Sequence, residues 1–130
     1  MTAAIDASAL LAMLFAEPGA ETVADVIASG AATSAVNLSE VATVLARHHR
    51  DPAAILGPVR EQLDVEPFTD ADALAAAALC PETAGKGLSL GDRACLTLAQ
   101  RLDAPAVTAD HAWAELELDI AVQLISPRVS

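Results

Sequence analysis

Residues 1–15 read MTAAIDASALLAMLF, and Asp6 divides them into two unlike pieces. Residues 2–5 are a short apolar run of strand length. ASALLAMLF is continuously apolar and rich in Ala, Leu and Met, which suits a buried helix better than a strand. Asp6 therefore closes a strand where a helix begins. In a parallel α/β arrangement, side chains at such junctions converge on a crevice outside the carboxyl ends of the strands.

Three more acids sit at the edges of apolar runs: Glu40 in VNLSEV (36–41), Asp92 in LSLGDRAC (88–95) and Asp110 directly after PAVTA (105–109). Carboxylates gathered in one crevice repel each other and are tolerated where a divalent cation neutralises them. Hard oxygen ligands favour Mg²⁺ or Mn²⁺, and that chemistry points to phosphate esters.

The rest of the chain alternates in the same way. Pro18-Gly19 punctuates, and residues 20–30 (AETVADVIASG) place Val23, Val26 and Ile27 on one helical face before stopping at Gly30. Residues 31–36 (AATSAV) read as a second strand. Asn37 then suits the N-cap of a helix over 38–49, with Glu40 at capping-box spacing, so a purely structural role for Glu40 stands beside the site role. Asp51-Pro52 opens a further helix with Gly57-Pro58 as a candidate interruption. Residues 64–68 (DVEPF) read as an edge strand or connector, because Pro67 cannot donate to a ladder. Thr69 caps the helix over 70–80, whose Asp70 and Asp72 favour the positive end of the helix dipole and are read as structural. Residues 81–92 (PETAGKGLSLGD) form the longest candidate loop and lead into a helix with Asp92 in its first turn. AVT (106–108) is a buried strand, Trp113 and Leu116 mark a short helical turn, and IAVQLI (120–125) is the last strand. Strands alternating with helices indicate an α/β sandwich with a largely parallel sheet.

Bulk properties bound this reading. The chain has 130 residues, enough for a single domain over 1–130 with one real core. Hydrophobic residues make up 54% and aromatics only 2%, so the core must be built from Ala, Leu, Val and Ile. Mean hydropathy is +0.43, which excludes a disordered chain. No apolar stretch reaches the roughly 18 to 20 residues that span a bilayer, and Asp6 stands where a signal peptide would be basic. A cytoplasmic protein with no membrane association is expected. Cys80 and Cys95 lie outside any CxxC pattern and are expected to be buried small hydrophobes.

Net charge is −11, which opposes binding to polyanions, since sequence-independent affinity for nucleic acid rests on Lys and Arg. With the four site acids set aside from 18, 14 acids still face 7 bases. An RNA-binding reading therefore requires bases clustered near the site or supplied by a partner. Arg47, His48, His49 and Arg50 form the best cluster, read as a solvated cationic helix end. Lys86 has no P-loop motif behind it, and His111, although next to Asp110, carries no assignment.

With the acids placed, the sequence resembles the PIN-domain family, and within it the VapC-type ribonuclease toxins of toxin–antitoxin pairs. The matching segments are IDASALLAML (5–14), NLSEVATVLAR (37–47), LSLGDRACLTLA (88–99) and VTADHAW (107–113), spread over nearly the whole chain. The resemblance implies a PIN-like three-layer α/β/α sandwich with a central, mostly parallel sheet. It implies a Mg²⁺- or Mn²⁺-dependent endoribonuclease with Asp6, Glu40, Asp92 and Asp110 as the metal-binding and catalytic set. Asn37 and Thr108 would support that set by hydrogen bonds, with Ser8 as a further polar contact near Asp6. It also implies an RNA substrate, a cognate antitoxin and a homodimer, with specificity contacts from bases such as Arg47, Arg50 and Arg93.

Two other readings compete. A phosphoacceptor signalling module needs an acceptor aspartate on a central strand and a lysine after a later one, and neither DVEPF nor Lys86 supplies them. A catalytically inactive PIN-like partner-binding module is compatible with the acidic charge, whereas the intact set of four acids favours the enzyme.

Overall fold

The computed structural model describes residues 3–80 and 87–126; residues 81–86, including Lys86 and the first half of the candidate loop, lie outside them. Five short strands, β1 (Ala4–Ile5), β2 (Ala32–Ser34), β3 (Asp64–Glu66), β4 (Ala106–Thr108) and β5 (Val122–Leu124), form one sheet in the order β3-β2-β1-β4-β5. Every neighbouring pair is parallel. The described helices are α1 (Ala7–Leu14), α2 (Ala20–Ala28), α3 (Ala35–Arg47), α4 (Pro52–Gln62), α5 (Asp70–Ala78) and α6 (Leu90–Leu102). A 3-10 turn over His111–Glu115 follows β4. The fold is the expected α/β sandwich.

Strand alternation divides the core in two. Ala3, Ile5, Ala31 and Val107 face a cluster that includes Leu10 of α1, Val23 and Ile27 of α2, Val41 and Leu45 of α3 and Leu56 of α4. Ala4, Ala32 and Ala106 face the opposite cluster, with Cys95, Leu96 and Ala99 of α6 and Trp113. Successive strand side chains must point to opposite faces, so Ile5 and Val107 share one face while Ala4, Ala32 and Ala106 share the other. Ala4 is in register with both Ala32 and Ala106, so a row of methyl groups crosses the three central strands. That flat row lets α6 lie close enough for the Cys95 thiol to reach the Ala4 carbonyl oxygen at 3.7 Å.

The strand order runs from β1 through β2 to β3 on one side and through β4 to β5 on the other, so the topology reverses between β1 and β4. In open α/β sheets, ligands bind outside the carboxyl ends of the strands at such a switch point. Asp6 follows β1 and Thr108 ends β4, so the two straddle it. The ladder continues one residue past β1, where the Asp6 N–H donates to the Val107 carbonyl at 3.0 Å.

Several local expectations change. Residues 31–36 are not all strand: Ser34 is the N-cap of α3 and its hydroxyl accepts from the Val36 N–H. Asn37 therefore sits inside the first turn and is not the cap. Ser is as good a cap as Asn, and with Ser34 already at the end of β2 the helix can start there. Gly57-Pro58 does not interrupt α4, which is continuous. Gly57 lacks the Cβ that disfavours helical backbone before a proline. Cys80 is exposed, contrary to expectation, because its neighbour Leu79 takes the buried position in the second cluster; Cys95 is buried as expected. The cationic end of α3 is solvated as expected, with Arg47, His48, His49 and Arg50 all exposed. The Arg50 guanidinium lies 5.2 Å from the centre of the Phe15 ring, and His48 packs against the same ring. Asp51 caps α4, and Thr69 with Asp72 forms a reciprocal capping box on α5. Asp72 also pairs with Arg101 at 3.3 Å, so its structural reading holds.

Gly19, at φ +95°, opens α2 in the left-handed region, and a Cβ there would lie 2.7 Å from the Ile125 carbonyl oxygen and side chain. Only glycine meets both demands.

The methyl row yields a stability test. Ala4→Val adds two methyl groups beneath α6 and should lower unfolding stability by about 1–3 kcal/mol, read as a reduced urea midpoint at unchanged slope. A midpoint equal to the parent's would mean that α6 does not pack tightly on this face.

Candidate active site at the sheet switch point

Asp6 is the hub. Its backbone ends the β1 ladder, while its side chain caps α1 by accepting from the Ala9 N–H at 2.9 Å through Oδ1. The Ser8 hydroxyl reaches Oδ1 at 2.8 Å and Oδ2 at 2.9 Å, and the Thr108 hydroxyl donates to Oδ2 at 2.6 Å. Each hydroxyl has a single proton, which the carboxylate takes. Each therefore accepts elsewhere: Ser8 Oγ from the Ala109 N–H at 3.0 Å, and Thr108 Oγ1 from the Asp110 N–H at 3.1 Å. The exit of β4 is thereby tied to the start of α1.

Asp6 is only 3% exposed. Burial pushes its pKa up from 3.8 to about 6, against the lowering effect of hydrogen bonds from Thr108, Ala9 and Ser8, and nearby Asp92 adds to the rise. Desolvation disfavours the charged form, and hydrogen bonds recover only part of that cost.

Glu40 and Asp92 approach from the two neighbouring helices. Asn37 Nδ2 donates to Glu40 Oε1 at 2.8 Å and to the Gly91 carbonyl at 3.0 Å, linking α3 to the first turn of α6. Gly91 has no side chain to spare: a Cβ there would overlap the Glu40 carboxylate. Asp92 is fixed by a reciprocal capping box, its Oδ2 accepting from the Ser89 N–H at 2.9 Å while the Ser89 hydroxyl accepts from the Asp92 N–H at 3.2 Å. Asp6, Asp92 and Glu40 all act on Cys95, whose thiol is held well above its ordinary pKa by burial first and by these three charges next.

Asp110 stands apart. It is exposed at the rim and caps the 3-10 turn, with Oδ1 accepting from the Ala112 N–H at 3.0 Å. His111 Nε2 lies 3.1 Å from the Ser126 carbonyl oxygen. The structure thus groups Asp6 with Ser8, Thr108 and Asp92, and Glu40 with Asn37 and Gly91, and leaves the Asp110 carboxylate outside both groups. No local sequence pattern marks Gly91, whereas Ser89-x-x-Asp92 has capping-box spacing.

Whether these residues suit a divalent cation follows from their chemistry. The donors are carboxylate, amide and hydroxyl oxygens, the set that Mg²⁺ and Mn²⁺ prefer. Among the described residues, none of the four acids is ion-paired to a basic side chain, so the buried charge of Asp6 has no counter-charge. Asn37 Oδ1 is buried and accepts no hydrogen bond from the protein. Among the described residues no three His, Cys, Asp or Glu side chains already converge on one point. The donor set fits a hard cation.

The PIN-domain family model matches residues 3–118. The chain belongs to the PIN-domain family. No curated protein matches it by sequence. Among solved structures, this PIN domain is similar to a VapBC complex of Rickettsia felis bound to a promoter DNA fragment, with TM-score 0.75 and 14% identity over 95% of this chain and 98% of the other. It is similar to a toxin–antitoxin complex of Klebsiella pneumoniae, with TM-score 0.74 and 18% identity over 94% and 97%. A Mycobacterium tuberculosis VapC described as a sarcin–ricin loop cleaving toxin gives TM-score 0.71 and 19% identity over 92% and 99%. At these identities the likeness concerns the fold. Among the described residues of this PIN domain, no helix is long and apolar enough to cross a membrane.

The raised pKa of Asp6 sets a pH dependence. Between 3.8 and about 6 the folded chain holds a proton that the unfolded chain has released, so stability falls as pH rises through this window. Above it the full cost of the ionised, buried carboxylate persists, about 3 kcal/mol for a shift of this size. Without divalent ions, Asp6→Asn should therefore be more stable than the parent at pH 7.5 by about 1–3 kcal/mol, with the gap closing toward pH 4. Urea titrations across that range test it; a less stable variant at pH 7.5 would show that the hydrogen bonds outweigh burial.

Proposed function

We propose that the chain is a metal-dependent endoribonuclease, the toxin of a toxin–antitoxin pair, acting through Asp6, Glu40, Asp92 and Asp110 with Mg²⁺ or Mn²⁺. The observation that carries this reading is Asp6: a carboxylate 3% exposed at the topological switch point, with no basic partner among the described residues and a pKa of about 6. A structural carboxylate in that position would be expected to have a counter-charge. Support comes from the PIN-domain membership and from a fold neighbour whose description is that of an RNA-cleaving toxin. Neighbouring folds solved as toxin–antitoxin complexes support a protein antitoxin as partner. The same family model, running from residue 3 to 118, supports a single PIN-like domain.

When bound, a divalent ion supplies Lewis-acid polarisation of a phosphoryl oxygen and acidification of water, which phosphodiester hydrolysis requires. The chain's own residues prepare for it. Ser8 and Thr108, each locked by one donated and one accepted hydrogen bond, fix both oxygens of Asp6. Asn37 holds Glu40, and Ser89 holds Asp92, through contacts that leave each carboxylate its second oxygen. Asp110, exposed beyond these groups, would meet substrate or ion from the solvent side. Above pH 6 Asp6 is ionised and ready as a ligand.

The inactive partner-binding module remains the second reading. It is favoured by the capping duties of Asp92 and Asp110 and by the net charge of −11. Cleavage separates the two. Purified chain free of antitoxin, incubated with total RNA and Mn²⁺ or Mg²⁺, should give discrete fragments that vanish with EDTA. Asp6→Asn should cut at least about a hundredfold more slowly while remaining folded. A variant as fast as the parent would remove Asp6 from the mechanism, and a folded parent that cuts nothing under either metal would favour the binding module.

Gly91→Ala provides a milder probe of Glu40. The added methyl must displace the Glu40 carboxylate, so the chain should fold, with cleavage reduced about tenfold or more; unchanged cleavage would show that the position of Glu40 does not matter.

A further inference from the structure

The basic residues decide how so acidic a chain could hold a polyanion. Of the five described arginines, three have partners within the fold. Arg50 covers the Phe15 ring, Arg93 donates to the Ala76 carbonyl at 3.2 Å, and Arg101 pairs with Asp72. Arg47 and Arg60 are exposed and make no hydrogen bond or ion pair with the other described residues. They lie in different grooves. Arg60 lines an apolar depression between α3 and α4 that contains none of the site acids. Arg47 lies at one end of an open surface depression of about 610 Å³ lined by α3 alone, whose other charged residue is Glu40. Seven residues separate Glu40 from Arg47, close to two helical turns, so both project from the same face about 10 Å apart along the axis. Between them the wall is small and neutral, with Ser39, Thr43 and Val44.

We propose that this groove along α3 is the track for the RNA strand, with Arg47 holding a phosphate that neighbours the scissile one at the Glu40 end. The inference rests on the endoribonuclease reading and names the binding element of that same site. Its charge pattern suits a single strand running lengthwise: an uncommitted cation lies at one end, and acids suited to a cation lie at the other. It also narrows the candidate specificity contacts, since Arg50 and Arg93 are held by the fold while Arg47 is free to bind. A single arginine in a chain of net charge −11 predicts weak, strongly located binding instead of a broad basic surface.

The test is fluorescence anisotropy with a labelled single-stranded RNA, in the catalytically disabled Asp6→Asn background, over a range of salt concentrations. It is paired with cleavage kinetics in the otherwise unmodified chain. Arg47→Gln should weaken binding about five- to tenfold and reduce the slope of log affinity against log salt by about 0.7, the value for one lost phosphate contact on a single strand. In cleavage it should raise KM with kcat largely retained, and Arg47→Lys should recover most of the affinity, because a lysine still meets a phosphate as a point charge. Arg60→Gln, with the same change in net charge, should leave both affinity and slope unaltered. If Arg47→Gln binds as tightly as its background with an unchanged slope while the parent still cleaves in a metal-dependent way, the track is wrong and the nuclease reading stands. Equal losses from Arg47→Gln and Arg60→Gln would also overturn it, since overall charge would then be the cause. A parent that neither binds nor cleaves RNA would overturn both readings.

Discussion

The Asp6 carboxylate is the point on which the site depends. Its backbone ends the central strand, while its side chain caps the first helix and receives the only protons of two hydroxyls. Because Ser8 comes from α1 and Thr108 from β4, the carboxylate also connects elements that are distant in sequence. Four favourable contacts do not restore what burial removes, and the pKa remains about 6. The fold thus maintains a charge that its interior opposes. A sheet end that was only structural would be more stable with a neutral residue, so such an arrangement is a reasonable sign of function.

The sheet explains how the charge is presented. Parity sends Ile5 and Val107 toward α1–α4 and leaves Ala4, Ala32 and Ala106 beneath α6. The side with large residues is thick and anchors α1, whose first turn carries Ser8. The side with methyl groups is thin, which brings the first turn of α6 toward the strand ends and Asp92 within electrostatic reach of Asp6. Gly91 extends the same logic by one position, since the absence of a side chain admits Glu40. Small residues on one face are what allow acids from three separate segments to share one end of the sheet.

Much of this was legible in the sequence, and the rest was hidden for identifiable reasons. Asp6 at a strand-to-helix break, Asp110 beyond AVT and the alternation of elements depend on short-range patterns, and the structure has them. The start of α3 was misplaced because Ser34, Asn37 and Glu40 offer overlapping caps, and only the end of β2 decides between them. Asn37 proved to be a bridge to α6, a contact across 54 positions that no local pattern contains. Gly91 was invisible for the same reason: its importance lies in what approaches it. Ser89 with Asp92 could have been read from spacing alone. Cys80 was misjudged because composition gives a residue's tendency to be buried but not which of two neighbours, Leu79 or Cys80, turns inward. For the site, geometry supplies the grouping of acids, while the proposed metal and substrate rest on donor chemistry and family membership.

Cys95 shows a further result of placing acids around a buried thiol. The sulfur lies three residues after Asp92, is fully enclosed and is directed at the Ala4 carbonyl. Enclosure and three nearby carboxylates both resist its ionisation. A thiol that does not ionise is a poor nucleophile and a poor ligand for soft cations, which bind thiolate. Although it lies within the electrostatic field of the candidate site, this sulfur is chemically silent. The acids nearby offer oxygen donors, and the same carboxylates that suit a hard ion work against the thiolate a soft one would need.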